Sequence, residues 1–364
     1  MRPRQFFELF GSLLALFILA SPAYASSLAE QVAIHRDQWG VPHIRGESDA
    51  AVVFGSAWAQ SEDHFWQLED TYIKALGRYA EIVGDSGVES DLDVALFDIV
   101  GSSQRDFSFL PLEIQTLARA FADGYNFFLQ HNPDVTPRLI TQMEPWHVLA
   151  FERYMILPRL LGAAHAPSRE VTQLEAEELA SLGSNQWAIG PDRTRNGTAM
   201  LFINPHQPWY GSGMFTEMHV KSESGWDFSG AMYPGSPFPT AGFNNHLGWA
   251  YTVNEADISD VYRLTFDHPS DPDLYRYADD WRRAESWEIE LTVKGETQPR
   301  RYQLRKSHHG PITKQEDDMH FFAIKVPRLY DGSRMVQSLA QARATNFTEW
   351  YAAASSLQLQ TFNT

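Results

Sequence analysis

The sequence predicts an α+β protein, because helical and β-type patterns occupy different halves of the chain. In the first half, apolar residues recur at intervals of three and four, the period of a helix with one buried face. After Gly183, short β-type segments alternate with turn residues. Hydrophobic residues make up 43% of the 364 residues and charged residues 21%, a balance that excludes a disordered or fibrous chain.

Charge and cysteine content exclude several classes of function. The formal net charge is −17, whereas nucleic acid and anionic membranes are bound by basic surfaces, so we expect neither as a partner. The chain has no cysteine, which excludes disulfides, thiolate zinc sites and a cysteine nucleophile. Aromatic residues reach 13%, which suits a sheet-rich core and a deep apolar pocket, although core packing alone would also explain them.

Residues 1–25 have the pattern of a signal peptide. Arg2 and Arg4 precede an apolar run at 9–20, and Ala23-Tyr24-Ala25 supplies the small residues of a cleavage site. The run is shorter than the ~20 residues of a membrane span, and an uncleaved anchor is the alternative. An exported, cysteine-free chain indicates the bacterial periplasm, with no membrane segment in the mature protein.

The first half is predicted to be mostly helical after two short strands at 32–36 and 42–44. We expect a helix to begin at Ser61 as its N-cap, since acidic residues follow it and an apolar face comes next. That face consists of Phe65, Leu68, Tyr72, Leu76 and Tyr79. Further helices are predicted at 112–129, 148–161 and 171–182, and the last of these is acidic.

The second half is predicted to be rich in β-strands. The β-type segments are 185–190, 199–204, 215–220, 246–252, 287–293 and 301–306. A helix is expected at 347–357. The sequence stops soon afterwards without a polar tail or capping signal, which indicates a cut rather than a natural end.

Ser184 and His206 are brought close by the predicted hairpin between them. If Asn196-Gly197 forms a two-residue turn, Ser184 faces Trp209. If residues 190 and 199 instead close a longer loop, Ser184 faces Pro205. Either register leaves His206 roughly 10 Å or less from the point opposite Ser184. Such a pair can support nucleophilic catalysis, although a hydrogen-bonded histidine at a strand end would look the same.

Ordered motifs along nearly the whole mature chain resemble one known family. They are Trp39-Gly40-Val41-Pro42-His43-Ile44, Ala59-Gln60-x-Glu62-Asp63-His64, Gly77-Arg78, Asp123-Gly124-Tyr125-Asn126, Gly183-Ser184-Asn185-x-Trp187, Thr194-x-x-Gly197, Asn204-Pro205-His206-x-Pro208-Trp209, Gly242-Phe243-Asn244-x-His246-x-Gly248-Trp249, Thr252-Val253-Asn254 and His309-Gly310-Pro311. This series resembles the penicillin acylase family of N-terminal nucleophile (Ntn) hydrolases, which includes cephalosporin, aculeacin and acyl-homoserine-lactone acylases.

The resemblance implies an αββα sandwich and a precursor that cuts itself before Ser184. The implied parts are a helical α-chain region at 26–165, a spacer at 166–183 and the sheet-rich start of the β chain at 184–364. The two chains would remain associated after cleavage. A free α-amino group titrates near ~7.7–8.0, so the new terminus can act as general base for its own hydroxyl.

The same resemblance implies roles for individual residues. Ser184 would be the nucleophile, and His206 would line it and assist processing. The backbone N–H of Val253 would be one oxyanion donor, and a second donor and a nearby arginine would lie beyond Thr364. Trp187, Trp209 and Phe215 are candidates for the wall of an acyl pocket, although ordinary core packing is the favoured explanation for each taken singly.

One structural calcium ion and no organic cofactor are expected. Asp257 and Asp260 match the segment that supplies calcium ligands in penicillin G acylase, and Glu170 is a candidate third ligand. Calcium prefers such oxygen ligands, but the same residues would also suit a solvated turn.

The resemblance implies hydrolysis of a small N-acyl amide. The residues that follow His206 are more similar to the lactone and aculeacin acylases than to penicillin G acylase. This similarity favours a substrate with a long acyl chain. Two alternatives stay open. One is a conventional Ser-His esterase, although Ser184 lacks the Gly-x-Ser-x-Gly elbow. The other is a periplasmic binding protein, rich in aromatic residues and without chemistry.

Overall fold

A computed structural model describes residues 22–163, 183–254, 256–326, 328–330, 334–358 and 362–364. The helices of the first half are α1 (Pro22–Glu30), α2 (Asp49–Ala75), α3 (Ala80–Val83), α4 (Val88–Leu96), α5 (Ile99–Asp106), α6 (Leu112–His131) and α7 (Pro145–Ala163). Those near the end are α8 (Arg334–Arg343) and α9 (Phe347–Ala354). Single 3₁₀ turns lie at Gly84–Gly87, Phe107–Phe109 and Pro191–Arg193.

Most of the strands follow Gly183. They are β1 (Val32–Arg36), β2 (Pro42–Gly46), β3 (Gly183–Ile189), β4 (Met200–His206), β5 (Thr216–Ser222), β6 (Asp227–Met232), β7 (Ala241–Asn244), β8 (Gly248–Trp249), β9 (Thr252–Val253), β10 (Asp260–Thr265), β11 (Leu274–Tyr277), β12 (Asp280–Arg283), β13 (Glu285–Leu291), β14 (Arg300–Lys306), β15 (Ile312–Gln315), β16 (His320–Lys325) and β17 (Phe362–Asn363). The predicted α+β class, with a helical first half and a sheet-rich second half, is confirmed.

A six-stranded sheet joins the two halves of the chain. Its order is β1-β2-β5-β6-β7-β8, so a hairpin from the first half extends a sheet from the second. β2 and β5 run parallel, with His43 beside His219, and the other neighbours in this sheet are antiparallel. The chain therefore needs both halves to complete this sheet.

Helix α2 packs across one face of that sheet at very short distances. A Cβ atom at Gly55 would lie 2.7 Å from a methyl group of Val32, so glycine is needed where the helix meets the sheet. On its other side α2 meets α6, where a Cβ at Gly124 would lie 2.3 Å from the Phe54 carbonyl oxygen. These close contacts hold helix and sheet together as one core.

The sheet has two different faces, as the alternation along β5 shows. Thr216, Met218, Val220 and Ser222 are buried, and the Ser56 hydroxyl of α2 donates to the Met218 sulfur at 3.3 Å. Glu217 and Lys221 are exposed and His219 is half-buried on the opposite side, which we call the polar face. One face packed on helices and one face in contact with water is typical of such sheets.

The predicted helix start at Ser61 is wrong. Helix α2 begins at Asp49, and the Ser48 side chain accepts a hydrogen bond from the Ala51 N–H as the true N-cap. Ser61 lies inside the helix and donates to the Ala57 carbonyl at 2.7 Å. The backbone leaves helical geometry at His64, so the pattern that suggested a start marks a kink within a longer helix.

Other boundaries differ less. The strands expected at 32–36 and 42–44 and the helices expected at 112–129 and 148–161 are confirmed. The single strand expected at 246–252 is divided into β8 and β9, and the helices α3, α4, α5 and α8 were not predicted. The acidic helix expected at 171–182 lies outside the described residues.

The N-terminal segment is described only from residue 22. Residues 1–21 of the expected signal peptide lie outside the described range, and residues 22–25 belong to α1, in which Leu28 is buried. No helix within the described ranges has the length and hydrophobicity needed to cross a bilayer.

Candidate active site

Ser184 lies near the start of an antiparallel hairpin formed by β3 and β4. In its register Ser184 is opposite Pro205 and Gly183 is opposite His206. Of the two registers open from the sequence, the one with the longer loop is therefore correct. The loop contains a 3₁₀ turn at Pro191–Arg193, which accounts for the additional residues.

The two candidate side chains point to opposite sides of this hairpin. Residues directly paired across two strands share a face, so Ser184 projects with Pro205 and His206 projects with Gly183. Asn185 lies on the His206 face, and its Nδ2 atom donates to His206 Nε2 at 3.0 Å. Closeness along the strands was predicted correctly, but it does not bring the imidazole to the Ser184 hydroxyl.

The Ser184 hydroxyl instead lies against the peptide bond that precedes it. Its Oγ atom donates a hydrogen bond to the Gly183 carbonyl oxygen. In the continuous chain the nitrogen of Ser184 belongs to an amide, so it cannot act as a base. The hydroxyl is therefore placed next to the carbonyl group that self-cleavage would attack.

Gly183 and His206 are closely packed across the strands. A Cβ atom at position 183 would lie 3.2 Å from His206 Nδ1, which is tighter than ordinary van der Waals contact. The imidazole thus covers the glycine on the face away from the Ser184 side chain. This is the environment of the Gly183–Ser184 bond, which the family resemblance implies is cut.

Val253 lies close to β3, the strand that carries Ser184. It belongs to β9, which runs next to β3 and pairs with β17 through Val253 and Phe362. The Val253 residue is 45% exposed. The structure therefore places the segment expected to supply an oxyanion donor next to β3, the strand to which Ser184 belongs.

Two of the three candidate calcium ligands, Asp257 and Asp260, lie among the described residues, where they join no cluster of three potential metal ligands. Asp257 and Asp260 are both exposed, and Asp260 accepts a hydrogen bond from the Tyr262 hydroxyl at 3.3 Å. Glu170 lies outside the described residues. These carboxylates are of the type that calcium prefers, but two of them supply few of the 6–8 oxygens that it needs. Calcium at this segment stays a prediction.

Three potential ligands do meet elsewhere in the described part of the chain, at Glu316, Asp317 and His320. Arg263 forms an ion pair with Glu316 at 2.6 Å, and His320 is hydrogen-bonded to Asp317 at 2.8 Å. Because the members satisfy one another or a neighbouring arginine, the cluster is explained without an ion.

The aromatic residues considered for an acyl pocket fall into two groups. Trp187 is 56% exposed and Trp209 is 93% exposed, so neither is a core residue within the described structure. Phe215 packs against Tyr233, with ring centroids 4.6 Å apart, at the edge of the main core. Core packing is thus the correct explanation for Phe215 alone.

The hairpin carries an apolar surface on the same side as His206. Trp187 contacts Phe202 across the strands, with ring centroids 4.6 Å apart. Ile189 and Met200 continue this side of the hairpin and are also exposed. Sequence reasoning found Trp187 but not its partners, because strand alternation becomes informative only when the register is known.

The hairpin that carries Gly183 and Ser184, within an α+β fold, agrees with the class of amide-hydrolysing acylases that the sequence motifs resemble. A family model described as penicillin amidase matches residues 31–364, and the chain belongs to that family. The α+β fold agrees with this assignment.

The chain is similar to several acylases. It is 29% identical over 348 residues to an acyl-homoserine lactone acylase PvdQ of Pseudomonas fluorescens (strain Pf0-1), covering 85% of this chain and 44% of the relative. It is 28% identical to the penicillin acylase 2 proenzyme of Pseudomonas sp. (strain SE83), covering 78% and 44%. The identity to aculeacin-A acylase of Actinoplanes utahensis is also 28%, covering 83% and 43%.

The chain spans less than half the length of these relatives. Among solved structures, a thermostable penicillin G acylase from Alcaligenes faecalis matches with 25% identity and a TM-score of 0.42. That match covers 47% of this chain and 31% of the other.

Proposed function

We propose that this chain belongs to an exported, self-cleaving amidohydrolase in which Ser184 becomes an N-terminal nucleophile. The observation that carries the proposal is the Ser184 hydroxyl lying against the Gly183 carbonyl, in a member of the penicillin amidase family. Similarity to a protein named as a proenzyme supports the cleavage step.

Cleavage would proceed by an acyl shift within the chain. The Ser184 Oγ atom adds to the Gly183 carbonyl carbon and gives up its proton, and the carbon–nitrogen bond then breaks as the nitrogen gains a proton. The product is an ester between Gly183 and Ser184, which water hydrolyses to a carboxylate and a free hydroxyl. Two chains result, and the second begins with the α-amine of Ser184.

The mature site would use that α-amine as its base. Its pKa near ~7.7–8.0 lets the neutral amine accept the hydroxyl proton close to operating pH. The opposite orientation of His206 supports this arrangement over a conventional Ser-His esterase, which requires the imidazole to contact the hydroxyl. His206 is proposed to assist processing through its packing on Gly183.

The remaining roles follow the same family pattern. The Val253 N–H is proposed as one oxyanion donor, with a second donor supplied by a segment beyond Thr364. Asp257, Asp260 and Glu170 are proposed to contribute to a structural calcium site. Export to the periplasm is proposed from the pattern of residues 1–25.

The proposed substrate is an N-acyl amide with a long acyl chain. The relatives' names include acyl-homoserine lactone, aculeacin and penicillin, which supports the amide class rather than one leaving amine. The test is hydrolysis of a panel of short-chain and long-chain N-acyl homoserine lactones beside penicillins G and V, with the released acid measured by mass spectrometry.

We expect the parent protein to release the long-chain acid and the Ser184→Ala variant to release none. Ser286→Ala is a matched control, because Ser286 is an exposed strand residue bonded to Gln303 and distant in sequence from the site. Equal acid release from the Ser184→Ala variant and the parent would refute the assignment of the nucleophile.

A further inference from the structure

The polar face of the six-stranded sheet carries two histidines in direct contact. His43 on β2 and His219 on β5 are register partners, and their Nδ1 atoms lie 3.0 Å apart. Their side chains are 33% and 19% exposed, so both rings are partly buried but open to water. Neither residue has a role in the proposed amide hydrolysis.

Each histidine has a carboxylate beside its outer nitrogen. His219 Nε2 lies 2.8 Å from Asp227 Oδ1, and His43 Nε2 lies 3.7 Å from Asp37 Oδ2. The two imidazoles therefore point their Nδ1 atoms at each other and their Nε2 atoms towards opposite acidic groups.

The two carboxylates are held in place by other partners. Asp37 accepts hydrogen bonds from the backbone N–H groups of Trp39 and Val41, at 2.8 and 3.0 Å. Asp227 binds the Lys221 ammonium at 2.6 Å through its second oxygen. These contacts fix the acceptors independently of the histidines.

The contact between the rings requires one proton between two nitrogens. Because His219 donates its Nε2–H to Asp227, its Nδ1 atom keeps a lone pair when the ring is neutral. The proton in the contact must then lie on His43 Nδ1. If the proton of His43 moves from Nδ1 to Nε2, both rings carry an Nε2–H that faces a carboxylate, and both Nδ1 atoms present a lone pair to the contact.

Two converging imidazole nitrogens with outer carboxylates form the arrangement found around protein-bound metals. Zinc–nitrogen bonds of ~2.0–2.1 Å at a tetrahedral angle separate two ligand nitrogens by about 3.3–3.4 Å. From the observed head-on contact, the two Nδ1 atoms would have to separate by about 0.3–0.4 Å. Each ring would also have to tilt by about 35°, so that its lone pair points at an ion lying off the line between the nitrogens.

We propose that His43 and His219 bind a divalent transition metal ion of the zinc class through their Nδ1 atoms, with Asp37 and Asp227 orienting the rings. Water would fill the remaining positions. Imidazole suits zinc, copper and nickel, and the half-exposed face provides an entry path.

Other charged groups face this pair. Lys221 and its register partner Arg45 are cations on the same face, and Lys221 is already bound to Asp227. His35 is the register partner of His43 and is exposed on β1. The carboxylates of Asp227, 2.8 Å from His219 Nε2, and Asp37, 3.7 Å from His43 Nε2, offset these positive neighbours.

The first test is titration of the purified chain with Zn²⁺ alone by calorimetry. Loss of an outer carboxylate typically costs about 10–100-fold in metal affinity, so Asp227→Asn should weaken binding by that amount. His43→Gln and His219→Gln should weaken it at least as much. His131→Gln is the matched control, since His131 is an exposed histidine of α6 whose ring nitrogen bonds to the Phe127 carbonyl, and it should leave the affinity unchanged.

A second measurement needs no substitution and so does not depend on whether a variant folds. Diethyl pyrocarbonate modifies accessible imidazoles, and mass spectrometry can locate each modified residue. Saturating Zn²⁺ should protect His43 and His219 from modification, while the exposed His131 reacts as before. Equal modification of His43 and His219 with and without Zn²⁺, or equal affinity in the double His43→Gln, His219→Gln variant, would overturn the proposal.

Discussion

The interior between α2, α6 and the six-stranded sheet differs sharply from the hairpin that carries Ser184. Trp226 in the interior is 1% exposed, whereas Trp187 on the hairpin is 56% exposed. In the interior, backbone and side chains approach so closely that glycine is required. The comparison shows that close packing stabilises the interior. In the hairpin, by contrast, the register of β3 and β4 determines the position of the residues proposed to react.

The largest difference in stability is expected between two variants that each replace one tryptophan with alanine. Trp226→Ala should lower the free energy of unfolding by about 3–5 kcal/mol, because it removes a large buried side chain. Trp187→Ala should change it by about 1 kcal/mol or less, since much of that ring already contacts water. Urea unfolding of both variants measures the difference, and equal losses would contradict the contrast between the regions.

Two glycines provide the next comparison. Gly124→Ala should destabilise by about 1–3 kcal/mol or more, because its Cβ would lie 2.3 Å from the Phe54 carbonyl oxygen. Gly190→Ala, at the end of β3, meets nothing within 4 Å and has an ordinary backbone conformation.

The Gly190 variant should be neutral or more stable by about 0.4–1 kcal/mol, because alanine restricts the unfolded chain. Thermal melting of the two variants beside the parent checks both signs. A larger decrease in melting temperature for Gly190→Ala than for Gly124→Ala would contradict the contrast between the packed interior and the hairpin.

The smallest stability effect concerns Asp123 in α6 and depends on pH. Burial raises the pKa of Asp123 to about 6. In the unfolded chain a carboxyl group titrates near ~3.9, so the folded protein binds more protons between these values. Stability therefore falls as pH rises through this window, since the buried carboxylate must ionise.

Asp123→Asn removes that cost and should stabilise the protein more above the window than below it. Urea unfolding at neutral pH and at about pH 4 measures the change. Asp279→Asn, at an exposed turn position, is the control. An identical effect of Asp123→Asn at both pH values would show that ionisation of this residue does not limit stability.

The sequence predicted local structure better than long-range pairing. Apolar spacing located α6 and α7, and counting loop residues produced the correct hairpin register as one of two options. The start of α2 was missed because the small residues after Ser48 give a weaker periodic signal than the face that follows Ser61.

Pairing between distant segments had no sequence signal. His43 and His219 meet only because β2 runs beside β5, and no local pattern specifies that neighbour. The orientation of His206 away from Ser184 likewise depends on the register. Motif spacing could therefore nominate the site residues but could not decide which side chains contact each other.

The central claim is that the chain cuts itself between Gly183 and Ser184. Intact-mass measurement of the purified protein, with N-terminal sequencing, tests this most directly. We predict two chains, the second beginning at Ser184, and a single uncut chain in the Ser184→Ala variant. A parent protein that stays uncut, or the same cut in the Ser184→Ala variant, would contradict the account.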